Sequence, residues 1–204
     1  MSENKETGVG WEEAKKRVET VLKVFKELDE LGVRGPLGIP LDYPISRLEE
    51  YLEHIEKRFG NPELWIKEAE SYARDALMLA QGYAEEMLLK DYLKKWGLTC
   101  IGEPVYSPRE EKLKISLSIA TDGWKPVKEE SVPCSQEEFE KNVEVCNMRA
   151  LLKLKDERCA LLAKAVPTPF GYHNILIDPE TLEARNLTLE AEKFLEKLKE
   201  ELGV

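Results

Sequence analysis

The chain has 204 residues, of which 42% are hydrophobic and 34% charged, and its formal net charge is −10. That length is enough for one domain with a real core plus an appendage. The negative balance opposes a protein that wraps duplex nucleic acid through phosphate contacts, although a local basic groove is compatible with it. No apolar run approaches the roughly 20 residues that span a bilayer, and the start of the chain is polar, so the expectation is a cytoplasmic protein with no membrane partner. Glu and Lys are abundant while Gln occurs only at Gln81 and Gln136, a balance that points to a thermophilic source.

The first ten residues carry no period and read as a mobile tail. From Trp11, apolar residues recur at helical steps through Ala14, Val18, Val21, Leu22, Phe25 and Leu28, and Gly32 ends that helix. Residues 33–43 contain Gly35-Pro36 and Ile39-Pro40, so they read as an ordered loop. A second helix places Ile45, Leu48, Leu52, Ile55 and Phe59 on one face, with Gly60 as its stop. His54 on this helix reads as a solvated face residue, because no second ligand stands four residues away. Asn61-Pro62-Glu63 then opens a long helix that runs to Gly97 and carries Trp65, Ala69, Tyr72, Ala76, Ala80, Tyr83 and Leu93.

After Gly97 the period changes. Residues 98–106 alternate loosely, and Lys112 to Asp122 alternates cleanly, with Leu113, Ile115, Leu117 and Ile119 on one face. Asp122-Gly123 is a hairpin signal, and a short third strand fits 126–132. Ser135 opens a helix with a capping box that reads as continuous to Val166. Strands are expected over 172–177 and 182–187, and Thr188 caps a last helix. The fold expected is α+β: long helices on a small mixed sheet in αβββαβ order, with an N-terminal helical pair. The division expected is a tail and helical pair over 1–60 and a core domain over 61–204.

The four cysteines show no spacing that brings two thiolates to one zinc. Cys146 and Cys159 fall far apart on one predicted helix, which excludes a bridge between them. Two readings stay open for the set: buried free thiols, or a Cys100–Cys134 disulfide in a hyperthermophile cytosol.

The αβββαβ order from Asn61 onward resembles the core of the PD-(D/E)XK nuclease superfamily, which includes restriction-endonuclease-like and RecB-like proteins. Gly82-Tyr83-Ala84-Glu85 resembles the Glu after Gly in the first helix of RecB-like members, and Asp122 stands where the family's Asp lies. The resemblance implies a magnesium site formed by Glu85, Asp122 and Glu130, with a lysine beside the attacking water. The third strand departs from the pattern: Glu129 and Glu130 have no Lys two positions on, and Lys128 with Glu130 reverses the Glu-x-Lys order. The implied scaffold is therefore catalytically silent, with no cofactor; Mg2+ enters only if the chain is an active nuclease.

Two features suggest nucleic acid. Arg149, Lys153, Lys155, Arg158 and Lys164 make the most basic stretch of the chain, and Trp124 stands beside Lys125, an arrangement suited to stacking a base of a single strand. The leading expectation is a single-strand-associated protein using Trp124, Lys125, Arg149, Lys153 and Arg158. The competing expectation is a non-enzymatic homo-oligomeric assembly protein, with the long amphipathic helices forming the contacts.

Overall fold

The computed structural model of the protein describes residues 6–120 and 124–204, with side chains from Gly10 onward. It is an α+β protein. Its elements are α1 (Glu6–Glu30), α2 (Asp42–Glu56), α3 (Pro62–Trp96), β1 (Cys100–Ser107), β2 (Lys112–Ile119), β3 (Pro126–Pro133), α4 (Gln136–Lys141), α5 (Val143–Glu157), β4 (Cys159–Thr168), β5 (Gly171–Ile177), β6 (Ala184–Asn186) and α6 (Leu187–Leu202). Part of the expected N-terminal tail, Glu6–Gly10, is the first turn and a half of α1; the remainder, like the Asp122-Gly123 turn, lies outside the described residues.

The chain forms two compact units that divide inside α3 and α6: Met1–Ala84 with Glu192–Val204, and Glu85–Ala191. In the helical unit, the periodic residues of α1 meet Leu48, Tyr51 and Ile55 of α2 and the alanine stripe Ala69, Ala73, Ala76 and Ala80 of α3. Gly32 stops α1 with φ of +78°, which lets the Val33 N–H reach back to Leu28 O at 3.0 Å. Asn61 Oδ1 accepts from the Glu63 N–H at 2.9 Å and starts α3.

His54 is not a freely solvated residue. Its ring lies against Phe59 and Trp65, and its Nδ1 is buried without a hydrogen-bond partner. Tyr51 donates to Glu68 at 3.1 Å, and burial pushes its hydroxyl up to about 12. Between α1 and α2, the Gly35 N–H donates to Ile39 O at 2.8 Å and closes a short turn. Leu37 stands on that turn, fully exposed, with φ of +59°.

The second unit is built on one six-stranded sheet in the order β3-β2-β1-β4-β5-β6. Neighbours are antiparallel except β1 and β4, which run parallel through only three residue pairs, Cys100 to Gly102 against Cys159 to Leu161. Alternation along the strands separates two cores. Cys100, Ile115, Leu117, Cys159 and Leu161 pack with Ala150, Leu151 and Leu154 of α5. Ile101, Ala160, Leu162 and Leu176 pack on the other face with Leu89 and Leu93 of α3. Edge strand β3 is mostly exposed and begins and ends on proline, and the opposite edge, β6, is three residues long.

The helix expected from Ser135 to Val166 is instead α4, α5 and strand β4. The capping box is real: Ser135 Oγ accepts from the Glu138 N–H, and Glu138 accepts from the Ser135 N–H. α5 ends where Arg158 takes φ of +57°. The next four residues are buried on both sides of the sheet, and a strand with two apolar faces has no alternation to distinguish it from a buried helix.

That change also settles the cysteines. Both expected readings give way to two bonds, Cys100–Cys159 across the parallel strands and Cys134–Cys146 from the end of β3 to α5. Chain-entropy arguments put their stabilisation at about 4 and about 3 kcal/mol, for separations of 59 and 12 residues.

α5 lies so close to β1 that a Cβ on Gly102 would stand 2.3 Å from Leu154 Cδ2 and 2.9 Å from Ile115 Cγ2. Gly102→Ala is expected to destabilise this unit by about 1–3 kcal/mol through overpacking. Denaturant unfolding followed by near-ultraviolet circular dichroism checks this, with Gly82→Ala, where a Cβ meets open space, as the control.

Candidate functional site

At one end of the sheet, two helices hand the chain to two parallel strands. α3 stops at Gly97, where φ of +69° lets the Leu98 N–H donate to Leu93 O at 2.8 Å, and β1 starts three residues later. α5 stops at Arg158, and β4 starts at once. A cleft of about 490 Å³ opens there, with Leu117, Ile119 and Val127 as its apolar side, Lys128, Glu157 and Arg158 as its charged side, and the Cys100–Cys159 bond in its wall. A second cavity of about 440 Å³, bordered by Lys95, Trp96, Lys155, Asp178 and Thr181, also reaches Arg158. Apolar concavities with a few converging polar groups are the usual setting of ligand sites.

Charge in this region is largely paired. Lys128 Nζ lies 2.6 Å from Glu130 and 2.9 Å from Glu157, and Lys153 Nζ lies 3.1 Å from Glu130. Hydrogen bonds from Lys128 and then Lys153 hold the Glu130 carboxyl below the usual range, and Glu130 and then Glu157 raise Lys128. Each group is thereby fixed in its charged form, so Lys128 is poorly suited to take up a proton from water. Lys155 pairs with Glu180 at 3.3 Å. Arg158 is exposed and makes no ion pair among the described residues.

The structure brings some of the sequence-derived candidates together and separates others. Glu130 and Lys128 stand opposite Ile115 and Leu117 of β2, so they lie on the α5 face of the sheet. Glu85 belongs to α3 on the other face, where Asn174 of β5 donates to it at 2.6 Å. Glu129 alternates with Glu130 and faces away from α5 beside Ser116. Asp122 lies outside the described residues. Among the described residues, no three His, Cys, Asp or Glu side chains are grouped to hold a metal ion.

The nucleic-acid candidates divide in the same way. Trp124 is partly buried against the α3-side core, with its indole N–H 3.4 Å from Glu86, so most of its ring packs rather than standing free as a stacking platform. Arg149 makes two bonds of 2.8 Å to Glu138 and a third, of 3.0 Å, to Pro133 O, which ties α5 to the start of α4. Lys153 belongs to the Glu130 cluster. Lys125 is exposed, and Arg158 alone of the five reaches the cleft. The neighbours Lys95, Trp96 and Thr181 were not marked by the sequence, because the helix read through residue 158 concealed the chain reversal that gathers them. No family model, curated protein or solved structure matches this chain.

Glu138 has a further consequence for acid stability. Arg149 first, then the Ser135 backbone N–H, hold its carboxyl at about 2 against an ordinary 4.5. A depressed folded-state value contributes stability that is present above the unfolded value and is lost as pH falls towards the folded one. Glu138→Gln is therefore expected to lower the midpoint of thermal unfolding at pH 7 by a few degrees and to flatten its decline between pH 4.5 and 2. Thermal melts across that pH range measure both effects.

Proposed function

We propose that this chain is a cytoplasmic protein of a thermophile that associates with single-stranded nucleic acid through the groove around Arg158, on a nuclease-like scaffold without catalysis. The observation that carries this reading is that two cavities share one guanidinium with no ion pair among the described residues, with Lys95, Lys128 and Lys155 in their linings and Trp96, its ring stacked on Tyr92, in the lining of the second. A backbone phosphate suits the arginine, and an adjacent aromatic surface suits a base. The order α3, β1, β2, β3, α4 with α5, β4 supports the αβββαβ likeness when the two consecutive helices count as one. The placement of Glu85 and Glu130 on opposite faces of the sheet supports a silent scaffold, as does the pairing of Lys128 with two carboxylates. The two disulfides suit an oxidising or hyperthermophilic setting. No helix of the described residues is long and apolar enough to cross a membrane.

Fluorescence anisotropy with a labelled single-stranded oligonucleotide tests the proposal. Three or four phosphate contacts predict that log K falls with log salt at a slope of about −2 to −3, and Arg158→Ala should make that slope shallower by about 0.7. Absence of retention at low salt, or retention unchanged in Arg158→Ala, rejects the reading.

A second reading, homo-oligomeric assembly, is favoured by a specific observation. Leu37 is fully exposed on a hydrogen-bonded turn, and Phe170 is 89% exposed at the β4–β5 hairpin tip, where Thr168 Oγ1 braces the turn. Tyr172, two residues beyond Phe170, is 76% exposed as well, and contact surfaces are marked by exposed apolar residues that group together. Light scattering that returns an oligomer mass, reduced to the monomer by Leu37→Ser with Phe170→Ser, is the expected outcome if assembly is the function.

A further inference from the structure

We propose that Cys100–Cys159 is a selectively reducible bond, opened by a small dithiol that enters the cleft, and that its opening releases the seam between the two halves of the sheet. The inference is independent of what the groove binds.

Two differences between the disulfides carry it. The first is access. Cys134 and Cys146 are 0% exposed, in the core between the end of β3 and α5, whereas Cys100 retains 9% exposure and both Cys100 and Cys159 line the 490 Å³ cleft. Thiol–disulfide exchange requires a thiolate to reach a sulfur, so access decides which of two native disulfides reacts. The cleft is wide enough for a molecule of a few heavy atoms, and Arg158 precedes Cys159 directly.

The second difference is position. Cys134–Cys146 closes a local segment around α4. Cys100–Cys159 joins β1 to β4, and those strands share only the pairs from Cys100–Cys159 to Gly102–Leu161, while β1 pairs with β2 through eight residues. On one side of this seam lies the antiparallel set β3-β2-β1, and on the other β4-β5-β6. The bond therefore fastens the shortest junction between the larger strands, at the place where that junction borders the cleft.

The step balances as an ordinary exchange. A thiolate of the dithiol attacks the Sγ of Cys100, the more exposed residue of the two. A bond forms between them, the bond to Cys159 breaks, and the electron pair leaves on Cys159 Sγ, which takes a proton from solvent. The second thiol of the reductant then attacks its own sulfur in the mixed disulfide and releases Cys100 as a thiol. The protein gains two electrons and two protons, and the dithiol becomes a cyclic disulfide. The end of α5 disfavours the Cys159 thiolate through its dipole, and the Arg158 charge opposes that effect.

The test uses the folded, oxidised protein in a graded series of dithiothreitol without denaturant, quenched with iodoacetamide and mapped by mass spectrometry. Cys100 and Cys159 are expected to become alkylated faster than Cys134 and Cys146 by about ten-fold or more. Equal rates for both bonds, or earlier opening of Cys134–Cys146, overturn the proposal. Hydrogen exchange on the selectively reduced protein reads the seam: amides of Ile101, Gly102, Ala160 and Leu161 should exchange about ten-fold faster than in the oxidised form. Unchanged exchange at those amides overturns the release of the seam.

Discussion

Three residue pairs and one disulfide join the two antiparallel halves of the sheet, and much of the second unit depends on that narrow parallel junction. Parallel pairing requires the chain to cross from the end of one strand back to the start of the next, and helices are the usual means. Here α4 and α5 make the crossing, so one face of the sheet is covered by α5. The opposite face is covered by α3. β4, at the middle of the sheet, is buried from both directions at its start. The cleft follows from the same arrangement, because it forms where two helices end and two parallel strands begin.

Charge pairing is the second organising force. The helical unit and the sheet unit both carry dense networks of ion pairs, many between residues four apart on one helix. Individually such exposed pairs contribute little at ordinary temperature, but networks gain weight as temperature rises. The cluster of Lys128, Glu130, Lys153 and Glu157 lies between β3 and α5 and spends four charges on holding a helix to an edge strand. Such a cluster resembles a catalytic constellation in residue type alone; the pairing explains the raised Lys128 and the lowered Glu130 without any reaction.

Legibility in the sequence followed the strength of each local signal. α1 and α3 were readable because Gly32, Gly97 and the Asn61-Pro62 start mark their ends, whereas α2 stops at Glu56, short of the expected Phe59 and Gly60, and leaves Phe59 exposed. β2 was readable because one face is apolar and the other is not. β4 was not, since its start is apolar throughout and Arg158 ends α5 in a left-handed conformation that neither glycine nor asparagine announces. That one error displaced Cys159 onto a helix and hid its bond to Cys100; the Cys134–Cys146 bond lies ahead of it, across a helix that is interrupted at Asn142. It also concealed the cleft, since Arg158 read as one more charge on a helix face. Glu85 and Glu130 were placed on the correct elements, but strand registry decides which face a side chain takes, and registry depends on partners distant in sequence.

The two borders of the sheet bear on how the protein avoids aggregation. An open strand border offers unpaired amides and carbonyls to any neighbouring chain, and it is the usual starting point of coagulation. Here one border is β3, with proline at each end and three consecutive charged residues, Lys128, Glu129 and Glu130, between them; the other is only three residues long. Neither border is a favourable template for a second molecule. Molecules crowded together can thus open transiently and close again without knitting into a shared sheet.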